Sequence, residues 1–166
     1  MTRSNETRRT LGNRAVKRVF IPTVAVMAFT GFGQMPIFKR YYISDIPGMA
    51  WSADFYVTHF LHYIGAAVLL ALFAYFIMDY VLSGRKRFQL TPSAYLRIIF
   101  LAGIVATGIF RVFKNMPDVV FSPVFTVFID ISHLWFAMAY LFVALVLAVM
   151  KRGWLTEAGS YGNAAA

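Results

Sequence analysis

The chain has 166 residues, of which 60% are hydrophobic, 17% aromatic and only 14% charged. A soluble domain carries roughly 45–50% apolar and about 25% charged residues, so this balance excludes an ordinary soluble domain and reads as a membrane protein. There is no cysteine, which excludes disulfides, iron–sulfur ligation by this chain and covalent c-type haem attachment. The net charge is +9. The cations sit at the ends of apolar runs, the pattern of headgroup contact and orientation rather than of nucleic-acid binding.

Residues 1–18 are polar and basic, a predicted cytoplasmic N-terminal segment. The first apolar segment runs from about Val19 to Ile37, with Pro22 expected in its first turns, where a missing N–H costs least. It is too long for a signal peptide, and no small-residue cleavage site follows it. Residues 38–51 form a loop with a turn at Pro47-Gly48. The second segment spans about Ala53 to Leu82, longer than the ~30 Å hydrocarbon core requires. A short basic loop, 83–93, leads at Thr91-Pro92-Ser93 into the third segment, which runs to about Val112. After the loop 113–123 the fourth segment spans about Val124 to Met150, and 151–166 form a short tail. The expected fold is all-α: a bundle of four transmembrane helices over 19–150, with no soluble domain and no strong internal repeat.

Lysine and arginine set the orientation. Twelve lie at the N-terminus, on the 83–93 side (Arg97 included) and in the tail; four lie on the other side: Lys39, Arg40, Arg111 and Lys114. The positive-inside rule then puts both termini in the cytoplasm, and the second and fourth segments run in the same direction.

Ionisable side chains inside a membrane are expensive and mark function. The chain has three histidines: His59 and His62 in the second segment, His133 in the fourth. His62 and His133 fall nine residues into their segments, at equal depth in the outer half of the bilayer. Imidazoles from two helices at one depth suit a haem iron held from both faces. Ala66 and Ala137 each follow four residues later, on the same face, and leave room for a flat ring. His59 has Tyr63 at that spacing, which would crowd a porphyrin. His59 therefore stays open as a propionate partner, a quinone contact, the ligand in place of His62, or an interfacial histidine bonded to water. For the pair itself, the plain alternative is two histidines bonding helix to helix. Arg111 is placed to pair with a haem propionate, or to anchor at the headgroups. Asp130 is expected as a helix-start carboxylate favoured by the macrodipole, or as a partner of His133.

With Thr30-Gly31, Leu61-His62, Ala106-Thr107-Gly108, Arg111 and Ile131-Ser132-His133, the chain resembles the cytochrome b (gamma) subunits of membrane-bound formate dehydrogenases and nickel–iron hydrogenases over about residues 14–150. The resemblance implies two stacked b haems, with His62 and His133 matching the ligands of the outer one. The positions that match the inner haem's ligands hold Lys17 and Leu147. A single-haem version is therefore expected. The resemblance also implies a prokaryotic cytoplasmic (inner) membrane, catalytic and iron–sulfur partner subunits, and exchange with menaquinone or ubiquinone. The expected role is electron relay between an iron–sulfur partner on the outer face and the quinone pool, not catalysis by this chain. The alternatives are a cofactor-free four-helix anchor and a small transporter; the latter needs a polar path that the inner half scarcely offers.

Overall fold

The computed structural model describes residues 14–157. Most of the basic N-terminal segment, and the tail beyond Glu157, lie outside the described residues. The chain forms two compact units, one ending at Arg85 and the other starting at Lys86.

In the first unit, α1 (Arg14–Gly33) packs against α3 (Phe55–Asp79). α1 starts earlier than the apolar run suggests, so Pro22 lies inside the helix rather than in its first turns. Its missing N–H leaves the Arg18 carbonyl without the usual helical donor. α1 ends at Gly33, a position where nothing larger fits without a shift of its neighbours. A Cβ on Gly33 would lie 2.7 Å from Thr58 Cγ2 and 3.0 Å from the Ser52 carbonyl oxygen. The connection expected as a loop is instead compact: α2 (Ile37–Arg40) and two 3-10 turns, Ile43–Asp45 and Ala50–Ala53. Gly48, at φ +84°, makes the expected turn. Phe29 draws the connection onto α1 through ring contacts with Phe38 and Trp51. Asp54 caps α3 by accepting from the backbone N–H groups of Tyr56 and Val57. α3 continues into a π-turn, Tyr80–Gly84, giving 30 helical residues, or about 45 Å at 1.5 Å per residue.

In the second unit, α4 (Pro92–Phe113) packs against α5 (Pro123–Val149). Both helices start in the same way: a proline in the first turn preceded by a hydroxyl cap, Thr91 on Ala94 N–H and Ser122 on Phe125 N–H. Two short strands, β1 (Phe88–Leu90) and β2 (Leu155–Glu157), pair antiparallel with Leu90 opposite Leu155. They join a loop and a tail that were both expected to be irregular. Below this clasp Arg97 is only 4% exposed. Its Nη2 donates to the Arg152 carbonyl at 2.7 Å, and its guanidinium lies 4.8 Å from the Trp154 ring centre. The cation is thereby held by a carbonyl dipole and a π face.

The distribution of polarity is that of a protein solvated by lipid. Thr30, Thr58 and Ser52 are fully buried between elements, while Ile21, Phe60, Phe142 and Val149 face outward. Small hydroxyl residues inside and large apolar ones outside are the usual arrangement of membrane helices. Three helical stretches are long and apolar enough to cross a bilayer: Phe55–Gly84, Pro92–Phe113 and Pro123–Val149. The apolar helix Arg18–Gly33 is shorter than these three.

Candidate functional site

His62 is half-buried on α3 and faces the end of α1. Its Nδ1 lies 2.9 Å from Thr30 Oγ1. Thr30 is 1% exposed, and its hydroxyl donates to the Val26 carbonyl at 2.7 Å. One hydroxyl proton cannot serve two acceptors well, so the short bond to Val26 leaves Oγ1 to accept from His62 Nδ1–H. The ring lies beside the α1 backbone at the neighbouring Gly31, where a Cβ would be in ordinary contact, 3.4 Å from His62 Cε1 and 3.9 Å from Nδ1.

His133 on α5 is held in the same way by α4. Its Nδ1 lies 3.0 Å from Thr107 Oγ1, and the Thr107 hydroxyl donates to the Gly103 carbonyl at 2.7 Å. A Cβ on Gly108 would sit 3.4 Å from His133 Cε1 and 3.8 Å from Nδ1. Each unit thus contains a threonine–glycine step on its first long helix that meets a histidine of its second. This recurrence is local, confined to the threonine, the glycine and the histidine. Its members are 32 residues apart in the first unit and 26 in the second, because the connection in the first unit is longer.

His59 has different surroundings. Its Nδ1 lies 3.2 Å from Gln34 Oε1. Its ring is stacked on Phe55 with centres 5.2 Å apart, and Tyr63 lies at 4.3 Å. It has an amide partner and two aromatic walls, with neither the threonine nor the glycine that His62 and His133 share.

Arg111 and Asp130 belong together. Lys114 Nζ lies 2.7 Å and 2.6 Å from the two Asp130 oxygens, and Arg111 Nε is 3.2 Å from Oδ1. Asp130 lies beyond the first turn of α5, so the helix-start reading is corrected: two cations from the end of α4 neutralise this carboxylate. Arg111 is a member of that cluster as well as a candidate anion partner. Ala66 and Ala137 are half-buried on the turns after the histidines. The small residues in contact with the imidazoles are Gly31 and Gly108, across the helix pair. Trp135, two residues from His133, is 58% exposed and packs its ring against Phe100.

In each unit one imidazole is held through Nδ1 by the neighbouring helix, an arrangement that suits a ligating histidine. Ligating histidines almost always donate their second ring N–H to a fixed acceptor, and Thr30 and Thr107 Oγ1 each lie within hydrogen-bond distance of Nδ1. Among the described residues no group of three or more His, Cys, Asp or Glu could hold a metal ion. Thr30 and Thr107 escaped the sequence analysis as partners because only tertiary packing brings them to the histidines. The available signal was Thr-Gly preceding His in each half of the chain.

No family model, curated protein or solved structure matches this chain.

Proposed function

We propose that the protein is a single-haem b-type cytochrome subunit of a respiratory membrane complex, with His62 and His133 as the axial ligands. The observation that carries this reading is the repeated device: two histidines, one in each unit, each with Nδ1 at a threonine hydroxyl and the ring beside a glycine. Two histidines merely bonding neighbouring helices need no such matching. The same device favours His62 over His59 as the ligand.

A haem held through two imidazoles has no open iron position and, when bound, carries one electron at a time. The chain's own residues then orient the ligands, exclude water and set the local charge. Arg111 is the residue proposed to meet a propionate. His59, tied to Gln34 between two aromatic rings, is proposed to contact a quinone, menaquinone or ubiquinone. α1 is taken as a fourth span: its 20 residues make about 30 Å, the thickness of the hydrocarbon core. Both termini are then cytoplasmic, in a prokaryotic cytoplasmic membrane. The 38–51 and 113–123 connections face outward, where an iron–sulfur partner with its catalytic subunit would dock.

The test is a pyridine haemochrome assay on purified protein. One b haem per chain is expected, with His62→Ala and His133→Ala each abolishing the pigment and His59→Ala retaining it. A cofactor-free anchor would show no pigment at all, and two haems per chain would end the single-haem reading.

A further inference from the structure

We propose that Thr30 and Thr107 are positioning residues that keep the proton of His62 and His133 on Nδ1 and thereby set the electron supply of each ring to its ligand; the second half of this rests on the reading of the two histidines as haem ligands.

The geometry leaves little choice of tautomer. Each threonine hydroxyl is engaged by a carbonyl of its own helix, Val26 at 2.7 Å and Gly103 at 2.7 Å. Each oxygen then faces an imidazole nitrogen, at 2.9 and 3.0 Å. A lone pair on that nitrogen would face a lone pair on oxygen. In the first unit water could not relieve this, since Thr30 is 1% exposed, and an unmet buried acceptor is costly. The ring must therefore bring the hydrogen. A neutral imidazole has one N–H, so its lone pair resides on Nε2. Gly31 and Gly108 complete the arrangement: the Nδ1–Cε1 edge lies on the neighbouring helix backbone, and the Nε2 corner is turned away from the threonine.

The choice of acceptor has a consequence. A carboxylate draws the Nδ1 proton strongly and makes the ring a richer donor, which favours ferric iron. A hydroxyl oxygen that already donates elsewhere draws it weakly. The ligands keep neutral imidazole character, and the potential lies higher than a carboxylate-held pair would give. Valine keeps the shape of threonine and removes the acceptor. Serine restores it.

Two measurements on the full chain test this. The first is ¹⁵N NMR of histidine-labelled protein in detergent, prepared without added haem at mildly alkaline pH and assigned by single histidine substitutions. His62 and His133 are expected with Nδ1 protonated and Nε2 unprotonated. Thr30→Val should shift the His62 tautomer balance away from Nδ1–H and Thr107→Val that of His133 less, because the Ile104 backbone also bonds the His133 ring, while Thr30→Ser and Thr107→Ser keep the wild-type balance. The second is redox titration and EPR of the haem-loaded protein. Each valine variant should raise the midpoint potential and alter the g anisotropy as the ring gains freedom to rotate, with serine rescuing both. Nε2-protonated rings in the wild type overturn the proposal whether or not any variant folds. So do valine variants with wild-type spectra in both experiments. A locked tautomer in a protein that keeps its pigment in His62→Ala or His133→Ala would instead refute the ligand assignment and leave the positioning role standing.

Discussion

Around His133 positive charge exceeds negative. Arg111 and Lys114 share the single carboxylate of Asp130, which lies three residues before His133 on nearly the same helix face. Removing the carboxylate leaves two cations. Added positive charge near a haem stabilises the electron-rich reduced state, so if His133 holds a haem as proposed, Asp130→Asn should raise its midpoint potential, and Lys114→Gln should lower it. Redox titration of the α band reads both, and the effect should shrink at high salt, because the cluster is partly exposed. If both variants titrate like the wild type, the cluster is electrically remote from the pigment. At this scale the histidines were legible in the sequence, because an imidazole in an apolar run is conspicuous. Their threonine partners were not, because a hydroxyl in a membrane helix is ordinarily satisfied by its own backbone. Only the distance to a second helix shows that the oxygen has another use.

Each helix pair approaches closely at a glycine. A Cβ on Gly103 would lie 2.6 Å from the Phe136 ring, and a Cβ on Gly65 2.7 Å from Met27 Sδ. The numbers are nearly equal, but the neighbours differ. A phenyl ring is rigid, whereas a thioether at the end of a flexible side chain can move aside. Gly103→Ala should therefore cost on the order of 1–3 kcal/mol, as overpacking does, and lower the thermal unfolding midpoint in detergent. Gly65→Ala should cost clearly less. Equal losses would mean that Met27 is as constrained as Phe136. The second to fourth apolar segments were readable from hydropathy and caps, with ends within a few residues. The start of α1 was misplaced, because basic residues extend a helix as readily as apolar ones when propensity allows. The β1–β2 clasp was invisible: three residues carry no period, and the partners are separated by two long helices.

For the molecule as a whole, the lack of cysteine provides a clean topology experiment, since no native thiol competes with an introduced one. With both termini cytoplasmic, Ser44→Cys and Asp118→Cys should react with an impermeant maleimide in intact cells. Lys86→Cys should react only after permeabilisation. Labelling of Lys86→Cys from outside would invert the orientation and put the histidines toward the cytoplasm. The sequence by itself determined the solvent of this protein, because an apolar fraction of 60% cannot be hidden in a chain of this size. It also determined the helix-forming segments and the histidines, since both depend on residue type and local spacing. Only the tertiary structure decided which side chains meet them: Thr30 and Gly31 at His62, Thr107 and Gly108 at His133, and the shared carboxylate of Asp130. Those pairings depend on how one helix is rotated and shifted against its neighbour, and that register follows from close packing at glycines rather than from any pattern along a single helix.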